Sequence, residues 1–276
     1  MEIESVLIGV FIVSLLAEYM DATIGMGYGT TLTPLLLLIG FSPLQVVPAI
    51  LLSQFLSGIF AATLHQGAGN VSFDFKNDTE HKIVKRLGKL GYIPKSAAAK
   101  VATVLVMSSI AGVFVAVLIA LTLPVFYLKL YIGLLVVAMG MIIIARHKVQ
   151  NEFSWKKITG LGVLAAFNKG ISGGGYGPLI VSGQILSGVE PKNSIGITAL
   201  AEGATCFIGV MTYFIVGTNV DWSLAPYLAA GSLISVPLSV YTVKRMPVKR
   251  FTLTIGVATT LLGLFSLYKL LIPLYP

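Results

Sequence analysis

Two glycine-rich breaks, Gly25-Met26-Gly27-Tyr28-Gly29 and Gly173-Gly174-Gly175-Tyr176-Gly177-Pro178, interrupt the apolar sequence of this chain at an offset of 148 residues. The same offset lays Leu38 on Leu186, Pro43 on Pro191 and Leu52 on Leu200 without a gap. Later in each half, an offset of 123 lays Pro124 on Pro247, Val125 on Val248, Gly133 on Gly256 and Gly140 on Gly263. The chain reads as a duplication, with a first repeat over 1–148 and a second over 149–276. The offset shrinks because the first repeat carries about 25 residues that the second lacks. Asn70-Val71-Ser72-Phe73 resembles Asn219-Val220-Asp221-Trp222, so the surplus is the polar run that follows. This basic insert, about 74–97, contains Lys76, Lys82, Lys85, Arg86, Lys89 and Lys95, and a short helix is expected over 78–90. It reads as a solvated loop, with partner binding or regulation as the alternative.

Apolar segments fall at 3–21, 28–40, 43–66, 98–121 and 124–145, then at 156–172, 176–188, 191–216, 223–243 and 250–273. A bilayer core is crossed by about 20 apolar residues in a helix, and such stretches recur along the whole length. Only 11% of residues are charged, against about 25% in a soluble domain. The fold class is therefore an all-α polytopic membrane protein. A β-barrel would show alternating ten-residue strands instead of continuous runs. The second segment of each repeat is short, and at about 1.5 Å per residue it reaches only part of the way across. Ile3 to Ala17 lacks a basic n-region and an A-x-A-like cleavage site, so it reads as a first span rather than a signal peptide.

The net charge of +8 sits mostly in short loops between apolar segments, which is how topology is encoded, not how nucleic acid is bound. Three loops are strongly basic: 74–100, Arg146 to Lys157, and Lys244 to Arg250. The positive-inside rule puts them in the cytoplasm. Were the short segments re-entrant, leaving four spans per repeat, the loop at 244–250 would face outward. If they cross, there are about ten membrane segments, all three basic loops face inward, and both termini lie outside. An odd number of segments per repeat makes the two five-segment repeats inverted. Localisation follows as a multi-pass protein of the cytoplasmic membrane.

Irregular backbone at membrane depth survives only where it is buried in protein or lines a cavity. Glycine breaks at corresponding places in two halves point to a transporter's binding site. Each break precedes a short helix whose free N–H groups and partial positive charge suit an anion. The candidate binding set is Gly25, Gly27, Tyr28, Gly29 and Thr30 from the first repeat. Asn168, Lys169, Ser172, Gly173, Gly174, Gly175, Tyr176 and Gly177 complete it from the second. The alternative is close helix packing through small residues.

Ionisable groups within spans are functional candidates by default. Asp21 and Lys169 occupy one repeat position with opposite charge, and Gln54 and Glu202 occupy another. An Asp21–Lys169 ion pair is one arrangement; inversion more naturally puts the two at opposite ends of one cavity. Asp21, Gln54 and Glu202 are coupling candidates, with Glu18 sharing the wall. Glu202 is the candidate proton carrier, since desolvation disfavours a charged carboxylate; a neutral structural role is the alternative. Tyr28, Tyr176, Thr30, Thr31, Ser172 and Thr198 offer hydroxyls, and His65 reads as structural. No metal-ligand cluster, nucleophile elbow or phosphate-binding loop is present, and Cys206 stands alone. No metal, cofactor or enzymatic activity is expected.

The run Ile171-Ser172-Gly173-Gly174-Gly175 with Pro178, and the turns Gly69-Asn70-Val71 and Gly217-Thr218-Asn219-Val220, resemble the TauE/SafE family of membrane anion transporters. The resemblance covers the chain apart from the insert. Met26 interrupts the first glycine run, and that family is usually described with about eight spans. The resemblance implies movement of small sulfur-containing anions such as sulfite or sulfonates across a prokaryotic membrane. The expectation is a secondary transporter, an exporter by alternating access, with a small anion, the bilayer and a proton or other coupling ion as partners. An anion channel and a non-transporting membrane scaffold are the alternatives.

Overall fold

The computed structural model describes residues 3–76, 92–120, 125–146, 153–216 and 220–272. Ten helices run through them. Residues 3–146 supply α1 (Ile3–Ile24), α2 (Tyr28–Ile39), α3 (Pro43–Gly67), α4 (Ala97–Ala120) and α5 (Val125–Arg146). Residues 153–272 supply α6 (Trp155–Ser172), α7 (Tyr176–Leu186), α8 (Pro191–Val216), α9 (Ala225–Arg245) and α10 (Val248–Leu271). Each lies on one of the ten apolar segments. Five of them, α1, α3, α4, α8 and α9, carry stretches long and apolar enough to cross a membrane. The helices α2 and α7, with 12 and 11 residues, reach only about 17 Å at 1.5 Å per residue.

Helix boundaries follow local chemistry. Ser42 caps α3, its Oγ accepting the Gln45 N–H while the Gln45 Oε1 accepts the Ser42 N–H at 2.9 Å, a reciprocal capping box. The Gln45 side chain also donates to the Asp221 carboxylate at 2.6 Å, tying α3 to the turn before α9. That bond, with the Ser223 N–H, holds the exposed Asp221 carboxyl below the usual carboxylate range. At the other end of α3, Asn70 Nδ2 donates to His65 Nδ1 and to the Val240 carbonyl. His65 Nε2 is thereby left to donate to the Ala22 carbonyl at 3.3 Å. His65 is structural in this arrangement, joining α1, α3 and α9. The edges of the insert pair as two short antiparallel strands, β1 (Phe75–Lys76) and β2 (Ile93–Pro94). The helix expected over 78–90 lies outside the described residues.

Helix packing in residues 3–146 and 153–272 follows matching pairs. α1 packs on α9 as α6 packs on α4; α3 packs on α9 as α8 packs on α4; α3 meets α8, and α5 meets α10. Residue pairs repeat as well. A Cβ on Gly231 would lie 3.0 Å from Ser14 Cβ, and one on Gly162 would lie 3.1 Å from Ser108 Cβ, the equivalent pair with glycine and serine interchanged. At the centre, Gly209 faces Leu51, Gly203 faces Gly58 and Gly196 faces His65, so α3 and α8 run antiparallel. Gly140 against Thr260 and Gly263 against Val137 make α5 and α10 antiparallel too.

Candidate functional site

The two glycine breaks meet. A Cβ on Gly29 would overlap the Gly173 carbonyl oxygen, and one on Gly177 would overlap the Gly25 carbonyl oxygen. A Cβ on Gly174 would lie 2.8 Å from the Gly29 carbonyl carbon. The loops cross in opposite directions in backbone contact, an approach that only glycine permits. Gly25, Gly27, Gly173 and Gly175 also adopt positive φ, between 68° and 131°, where a side chain is strained. Hydroxyls pin the crossing: Thr30 Oγ1 accepts the Gly175 N–H at 3.2 Å, and Thr33 Oγ1 donates to the Ser172 carbonyl at 3.0 Å. Ser172 Oγ donates to the Asn168 carbonyl.

The two helix N-termini differ. The first N–H of α2, on Tyr28, donates to Asp21 Oδ1 at 3.1 Å, so an internal carboxylate occupies the anion position there. At the equivalent place before α7 stands Lys169. Its ammonium is completely buried, donating to Glu202 Oε1 at 2.7 Å and to Gln54 Oε1. Gln54 Nε2 closes the triangle on Glu202 Oε1 at 3.2 Å. The symmetric pair Gln54 and Glu202 thus touches across the α3–α8 crossing and clamps the one buried lysine among the described residues. Asp21 and Lys169 form no direct ion pair there; the partner of Lys169 is Glu202. The opposite charges on α6 and α8 were the signal for this pair, because a buried ammonium demands a carboxylate.

Beside the triangle lies a cavity of about 10 Å³ lined by Glu18, Asp21, Gly25, Gln54, Ser57 and Glu202 among others, close to the smallest space that holds one water. Glu18 Oε2 and Ser57 Oγ are buried without a hydrogen-bond partner. Ser57 is a lining residue that sequence reasoning passed over, since a serine in an apolar run carries no signal of its own. Asn168 is fully buried, with neither amide atom bonded. The two tyrosines anchor the short helices: Tyr28 Oη bonds Ser53 and Ser14 at 2.6 and 2.9 Å, and Tyr176 is equally buried. Three carboxyl groups, Gln54 and the unbonded Ser57 hydroxyl thus line a cavity of about 10 Å³ beside the clamped lysine.

The family model described as Sulfite exporter TauE/SafE matches residues 87–266, more than half of the chain. The chain belongs to the TauE/SafE sulfite exporter family. It is also similar to the "Probable membrane transporter protein YtnM" of Bacillus subtilis (strain 168), 25% identical over 247 residues, which cover 84% of this chain and 73% of that protein. No solved structure gives a significant match. Family and helices together make it a multi-pass membrane protein of a transporter family, not of an enzyme family.

Proposed function

We propose that this protein is a secondary transporter that exports small sulfur-containing anions, of the sulfite or organosulfonate type, by alternating access between two inverted repeats. The observation that carries the reading is Lys169, a fully buried ammonium held by Glu202 and Gln54 where the repeats cross. Inversion is supported by the antiparallel runs of α3 with α8 and of α5 with α10. An odd number of crossings per repeat produces those directions, and four per repeat would make the equivalent helices parallel. With ten crossings, the cavity lies toward the cytoplasmic end of the α3–α8 crossing, since its lining comes from the later half of α3 and the first half of α8. Loading from the cytoplasm fits that position.

In this cycle Glu202 stands in for the substrate. An empty site keeps its ammonium paired, so it can reorient without an isolated buried charge. An incoming anion takes over Lys169 and the unbonded Asn168 amide. Glu202, displaced, takes up a proton that travels with the anion. Asp21, on the α2 N-terminus, keeps the equivalent first-repeat position closed to anions. The resemblance, not the geometry, selects sulfur oxyanions among anions.

Sulfite flux and lumenal pH in proteoliposomes test this. Lys169→Ala is expected to abolish saturable flux, and Glu202→Gln to retain anion movement while uncoupling it from protons. Intact flux in Lys169→Ala removes the site. Linear, non-saturating flux in the wild type identifies an anion channel instead.

A further inference from the structure

A second cavity, far larger than the first, opens where α5, α6 and α7 come together. It is an open cleft of about 590 Å³, within the roughly 300–1,000 Å³ range of small-molecule sites. Lys156, Lys157, Gly160, Leu161 and Leu164 line one side, from the first turns of α6; Ile142 of α5 and the end of α7 line the rest. α5 and α6 each pack on α7, and the space opens between them.

Three observations give this cavity a chemistry. Its lining is mostly apolar but includes two exposed lysines, Lys156 and Lys157, for which no ion pair is found among the described residues. Ser187, which lines it, is completely buried and its hydroxyl has no partner. A Cβ on Gly160 would meet nothing within 4 Å, so the α6 wall faces open space. The repeat does not demand this polarity. The first-repeat positions equivalent to Lys156, Lys157, Gly160, Leu161, Leu164, Leu186 and Ser187 are Ile8, Gly9, Ile12, Val13, Leu16, Leu38 and Ile39, without one polar side chain. The site is therefore confined to one end of the molecule, the end of the basic loops.

We propose that this cavity binds an anionic phospholipid of the cytoplasmic leaflet, its phosphate at Lys156, Lys157 and the Ser187 hydroxyl and an acyl chain along Leu161, Leu164 and Ile142. An amphipathic ligand matches cationic mouth to apolar walls, as a small free anion cannot. Acyl chains are what surrounds these helices, and basic pockets between membrane helices at the cytoplasmic face suit anionic headgroups. The proposal rests on the basic ends being cytoplasmic, but not on Lys169 or on the identity of the transported anion. A bound lipid would bridge α5 to α6, two helices from different repeats.

The test is thermal unfolding of the full-length protein in neutral detergent, supplemented with phosphatidylglycerol, phosphatidylcholine or inorganic phosphate. Phosphatidylglycerol is expected to raise Tm more than phosphatidylcholine, and phosphate to leave it unchanged. Lys156→Gln/Lys157→Gln should weaken the lipid roughly 30-fold, from about 1 kcal/mol per lysine. Gly160→Trp, which fills open space, should abolish the lipid-dependent shift while leaving the lipid-free Tm near wild type. Equal shifts from both lipids, an unchanged phosphatidylglycerol shift in both variants, or a shift reproduced by phosphate overturns the proposal. Sulfite flux in the Lys169 variants is a separate readout, so failure of the transport reading and failure of the lipid site are told apart.

Discussion

Replacing Lys169 with methionine isolates the energetics of the charge at the repeat crossing. Methionine keeps most of the side-chain volume, so the change removes the ammonium and little packing. What remains is Glu202, 5% exposed, with the Gln54 amide at 3.2 Å as its donor. Removing one partner of a buried pair costs about 3–5 kcal/mol; the surviving Gln54 bond puts Lys169→Met near the low end, about 3 kcal/mol. At about 2–4 °C per kcal/mol for a chain approaching this size, Tm in detergent should fall by roughly 10 °C, read from intrinsic tryptophan fluorescence. Adding Glu202→Gln removes the stranded charge, so the double variant should regain most of that loss. It should regain no sulfite flux, because the cation is gone. A Lys169→Met protein as stable as wild type, or a double variant no more stable than the single, would refute the pairing argument.

Gly29→Ala drives a methyl into the Gly173 carbonyl, with backbone on both sides of the contact. It should cost about 1–3 kcal/mol or more, whereas Gly9→Ala, with nothing within 4 Å, should be neutral or stabilising by up to about 1 kcal/mol; urea or thermal unfolding of the pair measures the difference. Asn168→Ala gives up no side-chain hydrogen bond among the described residues, so Tm should hold while the apparent KM for sulfite rises about tenfold or more, the value of a bond to a charged group; a large stability loss with unchanged KM would contradict it. Gln45→Ala removes the largest cause of the lowered Asp221 carboxyl, so its NMR titration should move up toward the ordinary carboxylate range. In the wild type this stabilisation is fully present above the unfolded carboxylate value and fades as pH falls through the lower folded one; an unmoved titration would show that Gln45 does not hold it.

The sequence by itself determined the properties that one dimension carries. Apolar length marked the ten helices, because only a helix satisfies its backbone inside a bilayer. The offset of 148 paired Gly25 with Gly173 and Gln54 with Glu202 before any contact was known. Glycine clusters located the crossing, since the need for positive φ and close approach is written in the residue type. Only the tertiary structure decided which groups meet. Lys169 stands 148 residues from Asp21 but bonds Glu202, because α6, packed along α4 through Gly162 and Gly170, brings its ammonium to the place where Gln54 of α3 and Glu202 of α8 touch. Tertiary packing also brings the glycine loops into backbone contact, and it leaves Asn168 and Glu18 Oε2 unbonded. The gap beside Lys156 and Lys157 has no signature in either helix alone, for a space between elements is a property of their packing and belongs to none of them.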